Sequence, residues 1–177
     1  VITGGPGVGK TSLLEELQKR GLTVIPEVAR QLIKEQQAID GEALPWKNKR
    51  LYRDLMFQRS VESFEKVMEE QHGGSPIFFD RGFLDAICYA RLSGIRVEND
   101  MKILADTWRY NDHVFILPPW KEIYRTDAER KQDWNEAVFT YNKMIQTYRS
   151  FQYNLVEVPK NSIEQRANFI LNWINDH

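Results

Sequence analysis

Short apolar runs alternate along the chain with longer segments in which apolar residues recur at helical intervals. The short runs are typical of strands, and they occupy residues 1–3, 23–25, 76–79, 113–117 and 155–158. The continuous apolar run at 76–79 is the kind expected for a central parallel strand covered on both faces. The periodic segments are typical of helices that bury one face, and they cover 12–20, a stretch to about 37, 45–72, two stretches around 93–94, a stretch to about 148, and 163–174. This order predicts an α/β fold in three layers, a five-stranded parallel sheet with helices on both faces.

Nothing in the sequence divides the chain into separate parts. It contains no internal repeat, no low-complexity tract and no linker between domains. Residues 1–177 are therefore predicted to form a single domain, large enough for a three-layer core. Because Val1 lies inside the first predicted strand, we expect a few residues to precede it.

The loop after the first predicted strand carries the spacing G-x-x-x-x-G-K-T at residues 4–11. Glycines there let consecutive N–H groups turn inward around an anion, and the following helix directs its positive end at the same point. Lys10 would reach the outer phosphates, and the Thr11 hydroxyl would bind Mg²⁺. A glycine turn that merely begins a helix is the alternative. The residues predicted to bind a nucleoside triphosphate are Gly5, Pro6, Gly7, Val8, Gly9, Lys10, Thr11 and Ser12.

Charged residues follow two of the predicted strands, at the sheet edge where α/β proteins bind ligands. Glu27 and Arg30 come after the second strand, and Asp80 and Arg81 come after the third. A carboxylate there can bind Mg²⁺ or accept the proton of an attacking hydroxyl, and an arginine can hold phosphate oxygens in a bidentate contact. As alternatives, Asp80 and Glu27 cap the helices that follow them, or Glu27 pairs only with Arg30.

The polar segment before the helix that ends near residue 148 is predicted to be a lid over about 120–133. Phosphoryl transfer needs water excluded and spreading negative charge neutralised, and an arginine-bearing lid does both. Arg125 and Arg130 are the candidate lid arginines. The alternative is a solvated helical face on which Glu122 and Glu129 pair with nearby cations.

Composition narrows the classes of function. With 24 basic and 25 acidic residues the net charge is −1, so no global charge favours a nucleic-acid partner. No apolar run is long enough to span a membrane. The lone Cys88 excludes an internal disulfide and suits a reducing compartment, so we expect a cytoplasmic protein. An exposed charged face is the interpretation favoured for four polar side chains in the long segment 45–72: Arg50, Arg53, Gln58 and Arg59.

Four segments, taken in order, resemble one family. They are the phosphate loop, P-E-V-A-R at 26–30, F-D-R-G at 79–82 and Y-R-T-D-A-E-R at 124–130. Over nearly the whole chain they resemble the AAA-type ATPase/kinase domain family, which includes the ribosylnicotinamide kinase domain of the bacterial NAD-biosynthesis regulator. The resemblance implies a sheet in the order 2-3-1-4-5, an ATP site at the phosphate loop, and a lid.

The resemblance also implies roles by position. Glu27 would match an acidic residue that helps to activate the acceptor hydroxyl, and Asp80 with Arg81 would match an acidic–arginine pair serving magnesium and phosphate. Arg125 and Arg130 would match lid arginines. Residues 1–177 show neither the appended helical domain nor the length of a ring-forming ATPase, so we do not expect a ring-forming ATPase from this segment.

These features favour an ATP- and Mg²⁺-dependent phosphotransferase whose acceptor is a small molecule with a hydroxyl group, a nucleoside-like compound being one candidate. The alternative is a nucleotide-binding regulatory ATPase or GTPase switch that acts on a protein or lipid partner. No [NT]-K-x-D segment supports the GTP version, because Asn48-Lys49 and Asn142-Lys143 both lack the aspartate. The sequence does not identify the acceptor or the oligomeric state.

Overall fold

The computed structural model describes residues 1–70, 74–123 and 133–177, and these residues form five strands, each followed by one or two helices, seven helices in all. The strands are β1 (Ile2–Gly4), β2 (Thr23–Ile25), β3 (Ile77–Phe79), β4 (His113–Leu117) and β5 (Asn154–Glu157). The helices are α1 (Lys10–Lys19), α2 (Val28–Ala38), α3 (Lys49–Glu69), α4 (Phe83–Leu92), α5 (Asn99–Thr107), α6 (Trp134–Ser150) and α7 (Ile163–Asp176). Each apolar run of the sequence forms a strand, and the periodic segments form the helices.

The strands form two parallel ladders in place of one continuous sheet. β4 lies between β1 and β5, with Gly4 beside Leu117, and β2 pairs with β3. A single isolated parallel bridge joins Ile2 to Asp80, the residue after β3. The strand order 2-3-1-4-5 is therefore not confirmed.

The described residues group into two compact units. The first unit contains all five strands and comprises Val1–Ile25, Pro76–Asp80 and Asn111–His177. The second unit comprises Pro26–Ser75 and Arg81–Tyr110 and holds helices α2 to α5. The single domain expected for residues 1–177 stays a prediction.

The core of the first unit lies where α1 and α7 pack against each other and against the strands. Leu13 and Leu17 of α1 are fully buried, as are Ala167 and Ile170 of α7. Each fully buried leucine contributes about 1.5–3 kcal/mol to stability. This packing fixes the N-terminus of α1, and with it the loop that precedes α1, at the carboxyl end of β1.

The core of the second unit is formed by the packing of α3 against α4 and by an aromatic cluster. The ring of Phe83 stacks on Tyr110 with centroids 4.5 Å apart, and Phe64 meets Tyr110 edge-on at 4.9 Å. Cys88 on α4 is buried, as expected for a structural thiol. Within the described residues, no helix combines the length and apolar character needed to cross a membrane.

The exposed charged face predicted for α3 is wrong at one position. Arg53 is fully buried, whereas Arg50 and Gln58 are exposed. The Arg53 guanidinium donates to the Arg96 carbonyl oxygen at 2.7 Å and to the Asp54 carboxylate at 2.6 Å. Arg53 therefore ties α3 to the segment before α5, and its position three and four residues before Met56 and Phe57 places it on their buried face.

Candidate functional site

The phosphate loop of the first unit, residues 4–11, connects the carboxyl end of β1 to α1. Gly7 and Gly9 both have φ of 76°, in the left-handed region that favours glycine. Gly9 is the N-cap of α1, which has no side-chain cap and no acidic residue in its first turn. The positive end of this helix dipole is thus not neutralised by side chains of the helix itself, and it favours a negative charge nearby.

The interior of the loop also has room for an anion. A Cβ atom placed on Gly5 would meet no atom within 4 Å, although the Gly5 residue itself is buried. A Cβ on Gly4, by contrast, would lie 3.0 Å from the Leu117 carbonyl oxygen. Glycine at position 4 therefore permits close packing of the loop on β4, and glycine at position 5 leaves the interior of the loop free of side-chain atoms.

Lys10 and Asp80 form an ion pair at this loop. The Lys10 ammonium donates to the Asp80 carboxylate, and both side chains are largely buried, with 7% and 15% of their surface exposed. Asp80 is held in register because its N–H donates to the Ile25 carbonyl oxygen at 2.8 Å. The strand ends thus bring together two residues that lie 70 positions apart in the sequence.

Helix capping does not explain the two carboxylates at the strand ends. The N-cap of α4 is Gly82, whose N–H donates to the Asp85 carboxylate at 3.0 Å, so Asp80 takes no part in that cap. Glu27 occupies the N-cap position of α2, but its side chain makes no capping hydrogen bond. The proposed stand-alone pair of Glu27 with Arg30 is long, at 4.0 Å, and the Arg30 side chain is 63% exposed.

In the second unit, Glu27 belongs to a cluster around Arg81. The Arg81 guanidinium donates to Glu27 at 2.9 Å and to Asp85 at 3.0 Å. Arg81 itself has φ of 69°, a conformation that costs about 1–3 kcal/mol for a residue other than glycine. The cluster therefore fixes a guanidinium between two carboxylates on a backbone turn that the surrounding contacts must stabilise.

Tyr52 on α3 lies against this cluster. Burial raises the pKa of the Tyr52 phenol, and the negative charge of Glu27 raises it further. The phenol is therefore neutral at physiological pH, so it adds no second negative charge beside the Glu27 carboxylate. Sequence reasoning missed Tyr52 and Asp85, although the spacing of four between Arg81 and Asp85 is the spacing of an ion pair on one helix face.

The structure describes only some of the other predicted site residues. Thr11 is exposed in the first turn of α1, and Ser12 beside it is half-buried. The candidate lid arginines, Arg125 and Arg130, lie outside the described residues.

Two side-chain oxygens are the candidate ligands for Mg²⁺, the Thr11 hydroxyl at the end of the loop and the carboxylate of Asp80, which pairs with Lys10. Mg²⁺ at nucleotide sites is commonly bound through one or two carboxylates together with phosphate oxygens and waters. Among the residues that the structure describes, no group of three or more His, Cys, Asp or Glu side chains could hold a metal. Thr11 and Asp80 are thus candidate ligands for a metal that arrives with a nucleotide.

Replacing Asp80 with asparagine is expected to raise the Mg²⁺ concentration that gives half-maximal ATP binding by about tenfold, because a carboxylate ligand is lost. Without Mg²⁺ the variant should bind ATP at least as well as wild type, since Lys10 is retained. Calorimetric ATP titrations at a series of Mg²⁺ concentrations measure both effects. Asp112→Asn, an exposed substitution in the same unit, is the control. An unchanged Mg²⁺ dependence in Asp80→Asn would remove Asp80 from the metal site.

Comparison with known proteins gives one family match and several structural matches. A family model described as an AAA domain matches residues 1–166. No curated protein matches the chain significantly in sequence. The deoxyadenosine kinase from M. mycoides with bound dATP superposes with a TM-score of 0.60 at 17% identity, covering 98% of this chain and 97% of that one.

Two further solved structures share the fold. Thymidylate kinase from Candida albicans gives a TM-score of 0.63 at 16% identity, covering 99% of this chain and 89% of that one. Shikimate kinase from Acinetobacter baumannii in complex with shikimate gives 0.52 at 14% identity, covering 99% and 91%. At these identities the likeness shows the fold alone, which is an α/β P-loop kinase-like fold of parallel strands and helices.

Proposed function

The chain belongs to the AAA domain family, and on that premise we propose that it transfers a phosphoryl group from ATP to the hydroxyl group of a small molecule. The observation that carries the proposal is the Lys10–Asp80 ion pair beside the uncapped N-terminus of α1. A cation and a carboxylate at an anion-binding loop are the two groups that a triphosphate with its metal requires. A glycine turn that only begins a helix would need neither the cation nor the carboxylate.

On the ATP side, the phosphate loop binds and orients the triphosphate. The N–H groups at the start of α1 and the Lys10 ammonium neutralise charge on the β- and γ-phosphates. Thr11 and Asp80 would hold Mg²⁺, which supplies further positive charge to the phosphate oxygens when it is bound. The triphosphate competes with Asp80 for the Lys10 ammonium, which leaves the carboxylate available to the metal.

On the acceptor side, we assign the cluster of Glu27, Arg81 and Asp85. The acceptor hydroxyl oxygen attacks the γ-phosphorus, the bond from that phosphorus to the ADP oxygen breaks, and the hydroxyl proton passes to the Glu27 carboxylate. Arg81 binds the transferring group or the acceptor through its fork of N–H donors, and Asp85 orients Arg81. Arg30, Arg125 and Arg130 are additional candidates for contacts with phosphate.

The names of the structural matches support an acceptor of this class. Three proteins that share the fold are kinases, two of them named for a deoxynucleoside or a nucleotide and one for shikimate. All three names denote small molecules. The proposed acceptor is therefore a small molecule with a hydroxyl group, and a nucleoside-like compound is the first candidate to test.

The test is ADP formation by the purified chain with ATP, Mg²⁺ and a panel of nucleosides, nucleotides and small hydroxyl-bearing acids. A kinase should form ADP much faster with one acceptor class than without it. Lys10→Ala should abolish that increase. If no acceptor raises ADP formation above the level of Lys10→Ala, the kinase proposal fails. Tight nucleotide binding with slow hydrolysis would then favour a regulatory switch.

A further inference from the structure

A buried arginine of α7 contacts the phosphate loop. Arg166 is only 3% exposed, and its Nη2 donates to the Val8 carbonyl oxygen at 3.0 Å. Its Nη1 lies 2.8 Å from the position that a Cβ on Gly9 would take, so a larger residue at position 9 would have to displace the guanidinium. The indole of Trp120, centred 5.8 Å from the Arg166 guanidinium carbon, provides a cation–π contact.

The charge of Arg166 is not neutralised within the part of the chain that the structure describes. No carboxylate of residues 1–70, 74–123 or 133–177 lies within ion-pair distance of it, and its buried Nε has no hydrogen-bond partner there. Burial lowers the pKa of the guanidinium, but an arginine stays protonated at any physiological pH. Since a buried unpaired charge is costly, a strong anion nearby would be stabilised by it.

The capping residue of α7 places Arg166 at this point. Ser162 and Gln165 form a reciprocal capping box that fixes the first turn of α7. The buried Ala167 and Ile170 then hold the helix against α1. Arg166 is therefore presented to the loop by a helix whose backbone is fixed at its first turn and along its packed face.

We infer that Arg166 is a positioning residue of the phosphate loop and a second fixed cation for the nucleotide phosphates. In a trans peptide the C=O and N–H groups point in opposite directions, so holding the Val8 carbonyl fixes the Gly9 N–H away from Arg166. The guanidinium also adds its charge to that of the α1 N-terminus and Lys10. The inference rests on the proposed binding of ATP, because the phosphates are the anion that Arg166 serves.

Three substitutions separate the hydrogen bond that Arg166 donates to the loop from the positive charge that it adds there. Arg166→Gln retains a hydrogen-bond donor without the charge, Arg166→Lys retains the charge without the fork, and Arg166→Met retains neither. Arg20→Met is the matched control, because Arg20 also joins α1 to α7, through Asn168 at 2.6 Å, without a contact to the loop. The measurements are the dissociation constants of ATP, ADP and AMP and the unfolding temperature with and without ATP.

We expect Arg166→Met to weaken ATP binding by roughly tenfold or more, with a smaller effect on AMP, which has a single phosphate. Arg166→Lys should bind ATP more tightly than Arg166→Gln. The nucleotide-free unfolding temperature of Arg166→Met should be unchanged or higher, because a buried charge is gone, while its ATP-induced rise should shrink.

A merely structural role gives a different result. In that case the unfolding temperature would fall in all three Arg166 variants. Their affinities for nucleotides would be no weaker than that of Arg20→Met. This result overturns the inference. ATP binding by wild type and Arg166→Met with equal affinity overturns it as well, and leaves the proposed function standing. A wild-type chain that does not bind ATP overturns the proposed function, and the inference with it.

Discussion

Replacing Lys10 with alanine is expected to lower the turnover of ATP by about 10²–10³-fold, the range seen when one group that stabilises transition-state charge is removed. The reason is positional. Lys10 is buried at the N-terminus of α1 and already paired with a carboxylate, so its ammonium is held where phosphate oxygens would bind. Steady-state kinetics with the best acceptor of the panel measure the loss.

The control for this substitution lies on the same helix. Lys19→Ala removes an exposed lysine from the last turn of α1 and should leave turnover near the wild-type value. In Lys10→Ala the affinity for ATP should fall by a smaller factor than the turnover, because the N–H groups of the loop still bind the phosphates. If Lys10→Ala keeps wild-type turnover, the phosphate loop is not the site of phosphoryl transfer.

Replacing Glu27 with glutamine is expected to lower acceptor-dependent turnover by about 10²-fold, the lower end of the effect of a general base. Glutamine keeps the length of the side chain and an oxygen that accepts from Arg81, but it loses the charge that takes the proton. The affinity for ATP should stay unchanged, because Glu27 lies outside the phosphate loop. Turnover with saturating acceptor and calorimetric ATP binding separate the two effects.

A matched control for Glu27→Gln is Glu35→Gln. Glu35 lies on the same helix, α2, and it too pairs with an arginine, Arg59, which lowers the pKa of its carboxyl. That substitution should leave turnover unchanged. Equal turnover in Glu27→Gln and Glu35→Gln would show that Glu27 does not accept the proton during the transfer. The cluster of Glu27, Arg81 and Asp85 would then no longer be supported as the acceptor side of the site.

The pattern of apolar and polar residues along the chain was enough to predict the helices and strands, but not how the strands are arranged in sheets. The runs at 23–25 and 113–117 form β2 and β4 with the predicted bounds. Within the described residues, β1 meets the third strand through an isolated bridge from Ile2 to Asp80 and not through a ladder. The apolar pattern of the two runs does not predict where a parallel ladder is interrupted. Arg53 was misplaced because a charged residue among apolar ones is compatible with both an exposed and a paired buried position.

The candidate site was partly predictable for similar reasons. The phosphate loop has its own spacing, and the strand-end rule placed Asp80 at the same edge, where it pairs with Lys10. Arg166 left no such signal: it lies 158 residues from Val8, in a helix whose pattern shows only an ordinary polar position. A contact between residues so far apart in the sequence arises from the packing of α7 on α1, and a single sequence does not reveal that packing.

The most direct test of the proposed activity follows the γ-phosphoryl group itself. ATP labelled with oxygen-18 in that group is incubated with the chain, Mg²⁺ and the acceptor panel, and the products are examined by mass spectrometry. We expect a labelled phosphomonoester of one acceptor class, formed in equal amount with ADP and absent with Lys10→Ala. Label that appears only in inorganic phosphate, whatever acceptor is present, would contradict a kinase.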